Sequence, residues 1–134
     1  MNNNQSKFEY LRDKNDTIIV NITTYPKRDK FLPVMLKYFT KQTYKPNKII
    51  LWLSKDEYDK NNLPIHIQKC LDEKWLTDIM WVDKNIYCHK RHETFKYNNN
   101  AYNIFADDDI YYPIDYVEKL YLYSKICSNG IIYF

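Results

Sequence analysis

Short apolar runs recur along this chain, and stretches with helical spacing separate them. The runs span residues 17–23, 48–53, 78–82, 102–106 and 131–134. Rich in β-branched and aromatic residues and bounded by polar ones, they predict strands, with those at 17–23 and 48–53 read as buried. Between the first two runs, Phe31, Leu32, Met35, Leu36 and Phe39 share one helical stripe. Pro33 is tolerable there because the first turn of a helix does not use its N–H. Pro64 opens a second helix with Ile67, Leu71 and Trp75 on its apolar face. A third carries Val117, Leu120, Tyr121 and Ser124 on one side, and Gly130 ends it. Strands alternating with helices predict parallel βαβ units in an open α/β sheet. Residues 83–100 fit neither period. Residues 1–16 are expected to form a polar lead-in to a single domain over 17–134.

Composition narrows the function classes. Apolar residues make up 45% and charged residues 28%, enough for a core and too apolar for a disordered chain. The net charge is only +3, with Lys and Arg interleaved among Asp and Glu, which does not argue for nucleic acid. No apolar run approaches the roughly 20 residues of a membrane span. The polar start Met1-Asn2-Asn3-Asn4-Gln5-Ser6 lacks the apolar stretch of a signal peptide. Three cysteines without paired spacing suit a reducing cytoplasm better than a disulfide framework.

In open α/β sheets ligands bind beyond the carboxyl ends of the strands. Two loops are expected there: Thr23 to Arg28 after the first strand, and Asp107-Asp108-Asp109 after the fourth. Adjacent carboxylates repel and raise one another's pKa, a cost that a divalent cation removes. Mg²⁺ or Mn²⁺ takes oxygen ligands, commonly one or two carboxylates plus phosphates and water. The competing reading is a solvated acidic loop capping the next helix. Lys90 and Arg91 by themselves read as a solvated charged face. Cys88, His89 and His92 lack a fourth ligand and fit no closed zinc site, and His66 reads as structural on a helix flank.

The segments 23–28, 48–54 and 106–113, in that order and spacing, resemble the N-terminal half of bacterial GT-A-fold glycosyltransferases. Among these the chain is most similar to the group-2-like sugar transferases of surface-polysaccharide or lipopolysaccharide synthesis. The resemblance implies a GT-A-like (Rossmann-like), mainly parallel sheet whose residues 17–134 bind a nucleotide-diphosphate sugar. It implies transfer of that sugar to a hydroxyl of a glycan or lipid-linked acceptor, with Mn²⁺ or Mg²⁺ as cofactor. Association would be at the membrane periphery rather than through a span, and no nucleic acid would take part.

By the same resemblance Thr24, Tyr25 and Arg28 line the nucleotide pocket, Tyr25 stacking on the base and Arg28 reaching a phosphate. Ser54 or Asp56 lies near the base, and Lys90, in the segment His89-Lys90-Arg91, helps neutralise the diphosphate. Asp107–Asp109 match the Asp-X-Asp motif, with Asp109 binding the metal, Asp107 contacting nucleotide or metal, and Asp108 undecided. No catalytic base is identifiable. Related enzymes continue into an acceptor-binding half, whereas this sequence stops inside an apolar run, so a truncated gene or a fragment is expected. Two rival readings stand beside this one: a catalytically silent nucleotide-sugar-binding remnant, and a basic, aromatic nucleic-acid-binding domain.

Overall fold

The computed structural model describes residues 6–127. The strands are β1 (Ile18–Thr23), β2 (Lys48–Ser54), β3 (Asp78–Val82) and β4 (Tyr102–Ala106). The helices are α1 (Leu32–Phe39), α2 (Ile65–Asp72), α3 (Thr94–Tyr97) and α4 (Tyr116–Ile126), and the short 3₁₀ turn Tyr87–Glu93 leads into α3. The apolar run expected at 131–134 lies outside the described residues.

The four strands form one parallel sheet in the order β3-β2-β1-β4. The predicted α/β class and the helical flanking are therefore present. β1 sits between β2 and β4, so that Ile22 is paired with Leu51 on one side and Ala106 on the other. Side chains alternate across the pleat. Ile18, Val20, Ile22, Leu51, Leu53, Ile104 and Ala106 face one core with α1, α2 and α4. Leu32, Met35, Leu36 and Phe39 of α1, Ile67 and Cys70 of α2, and Val117 and Tyr121 of α4 close it. Fully burying one such aliphatic or aromatic side chain is worth about 1.5–3 kcal/mol.

The other face is held differently. Ile19, Ile50 and Trp52 form a small apolar cluster, and beside it runs a polar chain across three strands. Trp52 Nε1 donates to Asn21 Oδ1 (3.0 Å), and Asn21 Nδ2 donates to Asn103 Oδ1 (3.1 Å). Thr94 Oγ1 also donates to Asn103 Oδ1 (3.1 Å), and Asn98 Nδ2 donates to Thr94 Oγ1 (3.0 Å). The segment 83–101, opaque to periodicity, is thus a 3₁₀ turn and a short helix fastened to the sheet by amide and hydroxyl groups.

Two local expectations are corrected. Trp75 is not on α2, which ends at Asp72. Lys74 takes a left-handed conformation (φ 59°), and Trp75 N–H donates to Cys70 O (2.9 Å) while Lys74 N–H donates to Leu71 O (3.0 Å). This bond pair is a Schellman cap, which turns the chain and lays Trp75 against the core from the turn. Residues 6–16 are strapped down rather than loose: Tyr44 donates its hydroxyl to Phe8 O, Asp13 N–H donates to Tyr121 Oη (3.0 Å), and Tyr121 donates to Asp16 (2.7 Å).

Candidate functional site

The strand order reverses between β1 and β4. The chain leaves β1 toward β2 and β3, crosses the second face through 83–101, and enters β4 on the far side of β1. In doubly wound sheets the crevice at such a switch point is where ligands bind. Thr24 to Arg28 extend β1 at this edge, and Asp107–Asp109 extend β4.

The two loops are bonded to each other. Thr24, 2% exposed, donates its hydroxyl to Asp108 Oδ2 (2.7 Å). Arg28 Nη2 reaches Asp108 Oδ1 and lies 2.6 Å from Asp109 Oδ1. Arg91 Nη1 donates to Asp107 Oδ1 (2.9 Å) and to Ala106 O (3.0 Å). Asp107 N–H donates to the Tyr112 hydroxyl (2.7 Å). The Arg28 guanidinium lies 5.5 Å from the centre of the half-exposed Tyr25 ring.

The expected repulsion among the three carboxylates is therefore already offset within the protein, by Arg28, Arg91 and Thr24. It is also divided by direction. Asp108 is 5% exposed and points inward; burial raises its pKa above the ordinary 3.8, against the opposing pull of Thr24 and Arg28. Asp107 and Asp109 have side chains 48% and 53% exposed. Among the described residues no group of three or more His, Cys, Asp or Glu is placed to hold a metal ion. Two half-exposed carboxylates suit a hard cation that keeps most of its shell as water and phosphate, and do not make a closed protein cage.

Ser54, Asp56 and Lys90 gather in a second cluster, at the ends of β2 and β3. Ser54 Oγ donates to Glu57 Oε2 (2.9 Å), and Asn85 Nδ2 donates to Glu57 Oε1 (3.0 Å). Asn85 N–H donates to Asp56 Oδ2 (2.9 Å), which holds the exposed Asp56 carboxyl below its usual range. Lys90 is not on a solvated face. It is 2% exposed, and its ammonium donates to Asn85 Oδ1 (2.8 Å) and lies 3.4 Å from Glu57 Oε2. Arg91 likewise turns inward, to Asp107. Sequence reasoning missed Glu57, Asn85 and Tyr112 as partners. Tyr112 stood in the quoted segment 106–113, whereas nothing local marks Glu57 as the counter-ion of a lysine thirty-three residues away.

His66 is exposed on α2. His89 and His92 stack edge to face, with ring centres 5.7 Å apart. No helix among the described residues is long and apolar enough to cross a membrane. No protein-family model matches the chain, and no curated protein is significantly similar to it.

Proposed function

We propose that the β1–β4 edge binds the diphosphate of a nucleotide-sugar donor. On this reading the chain is the donor-binding part of a GT-A-like cytoplasmic glycosyltransferase of surface-polysaccharide or lipopolysaccharide synthesis. The acceptor would be a hydroxyl of a glycan or lipid-linked sugar. One observation carries the reading: Thr24 and Arg28 after β1 are bonded to Asp108 and Asp109 after β4, across the point where the strand order reverses.

Each residue has a part in this proposal. Asp108 braces the loop from below, leaving Asp107 and Asp109 to hold Mn²⁺ or Mg²⁺ together with diphosphate oxygens. When bound, the cation would stabilise charge on the leaving diphosphate. Arg28, at the rim, and the more buried Arg91 would exchange part of their carboxylate contact for phosphate oxygens. Tyr25, half exposed beside Arg28, offers a face for the base. Ser54, Asp56 and Lys90 shape the neighbouring wall and fix the loops after β2 and β3.

Calorimetric titration with uridine and guanosine diphosphates, with and without Mn²⁺, tests the reading. Metal and nucleotide should bind with positive coupling of about 1–3 kcal/mol. Asp109→Asn should remove that coupling with the fold intact. Equal nucleotide affinity with and without Mn²⁺, or an Asp109→Asn variant that binds as the parent does, would leave the triplet a structural clasp between the β1 and β4 loops with no metal role.

A further inference from the structure

α1 has two working faces. Leu32, Met35, Leu36 and Phe39 fill the core. At helical spacing on the opposite side stand Phe31, Val34 and Tyr38, which are 51%, 49% and 38% exposed. Lys30 and Lys41 are exposed beside them, and the exposed Lys37 reaches toward the α2 side, its ammonium 5.5 Å from the Trp75 ring centre. The Lys30 ammonium lies 5.2 Å from the Phe31 ring centre, and that of Lys41 lies 6.0 Å from the Tyr38 ring centre. The patch continues onto the loop after β4, because the 68% exposed Tyr111 packs on Tyr38 with ring centres 5.0 Å apart.

Charge on this side is lopsided. From Tyr25 to Lys45 the only acidic residue is Asp29. It is 6% exposed and accepts a hydrogen bond from the Tyr58 hydroxyl, so it does not offset the lysines at the surface. The chain's net charge is only +3, so the excess belongs to this segment, and the half-exposed acid of the Tyr111 loop, Asp109, is paired with Arg28.

We infer that the outward face of α1, with Tyr111, docks on the surface of a bilayer containing anionic lipid. Interleaved apolar and cationic side chains are what a headgroup boundary accommodates together: rings and aliphatics enter it, and ammonium groups stay at phosphate level. A nucleic-acid backbone would use the lysines but leave Phe31, Val34 and Tyr38 in water. With only a few apolar groups, the attachment is weak, reversible and dependent on lipid charge.

Cosedimentation of the full chain with lipid vesicles tests this without nucleotide or metal, so the outcome is independent of the donor-site proposal. Vesicles of phosphatidylcholine with roughly a third phosphatidylglycerol should bind at least about tenfold more tightly than pure phosphatidylcholine, and high salt should release the protein. The combined charge reversal Lys30→Glu, Lys37→Glu and Lys41→Glu should lower the affinity by at least about tenfold. Phe31→Ser with Tyr38→Ser should do the same. All five positions are exposed, and unchanged circular dichroism would confirm folding. No binding, equal binding to neutral vesicles, or binding retained by either variant overturns the inference. So does binding to RNA without binding to vesicles, or self-association abolished by Phe31→Ser with Tyr38→Ser, which would assign the face to another partner.

Discussion

Replacing Arg28 with Met removes the cation but keeps most of the aliphatic stem. The structure bounds the cost. Asp108 has a side chain 6% exposed, while that of Arg28 is 30% exposed. Breaking a fully buried pair costs about 3–5 kcal/mol, because it strands the remaining charge. Solvent around Arg28 reduces that figure, and its contact with half-exposed Asp109 adds little. A loss of about 2 kcal/mol is expected, or about 7 °C in Tm for a chain of this length. Urea unfolding followed by tryptophan fluorescence, to which fully buried Trp52 contributes beside Trp75 and Trp81, would measure it.

The loss should also depend on pH. Burial already raises the Asp108 carboxyl above its ordinary 3.8. Without Arg28 it rises further. A carboxyl that holds its proton more tightly in the folded state than in the unfolded state favours folding at low pH. That contribution fades as pH rises through the folded-state value. The deficit of Arg28→Met should therefore be full at neutral pH and shrink on acidification toward pH 4. Adding Asp108→Asn, which still accepts from Thr24, should recover about 1 kcal/mol or more at neutral pH. A coupling below about 0.5 kcal/mol, or a deficit that does not change with pH, would refute the account of Asp108 as a buried charge dependent on Arg28.

Two further substitutions probe the scaffold. Lys74→Gly should stabilise the protein by about 0.5–1 kcal/mol in the same unfolding assay, because glycine adopts the left-handed cap conformation without a Cβ clash. Asn21→Leu should cost about 2–4 kcal/mol, since it leaves both the Trp52 indole N–H and the Asn103 carbonyl without their Asn21 partner. Hydrogen exchange should then show protection falling first in residues 83–101; a uniform fall across the sheet would mean the polar chain does not hold that segment.

What was readable in the sequence follows from where the partners lie. β1 and β2 announced themselves because the central strands of a parallel sheet, covered on both faces, need nearly continuous apolar runs; β3 and β4, outside them in the described sheet, are only partly buried. α1 was readable in Leu32, Met35, Leu36 and Phe39 because its partner surface is one apolar core, and burial imposes a period; Phe31, read on the same stripe, instead lies on the 3₁₀ turn before the helix and is 51% exposed. The segment 83–100 has no such period because its adhesive is polar. Asn98, in that aperiodic segment, donates to Thr94 and accepts from Asn103. Trp75 matched the spacing of α2, yet a single positive φ at Lys74 ended the helix before it. Lys90 sits in a charged run, and such runs are usually solvated. Its burial depends on Glu57 and Asn85, brought there by the pairing of β2 with β3.

The site divides in the same way. Chemical type was legible: three carboxylates at the end of an apolar run, and an arginine after the first strand. Direction was not, because direction depends on which strand neighbours which. Placing β4 beside β1 lets Thr24 and Arg28 reach Asp108, and this contact turns the middle carboxylate inward while its neighbours remain half exposed. A triplet in free solution would carry three equivalent repelling charges. In the fold it becomes one internal strut and two outward acids, each within reach of an arginine. Any anion arriving at this edge therefore meets acids whose repulsion is already partly offset by Arg28 and Arg91, with Asp108 tying the two loops together.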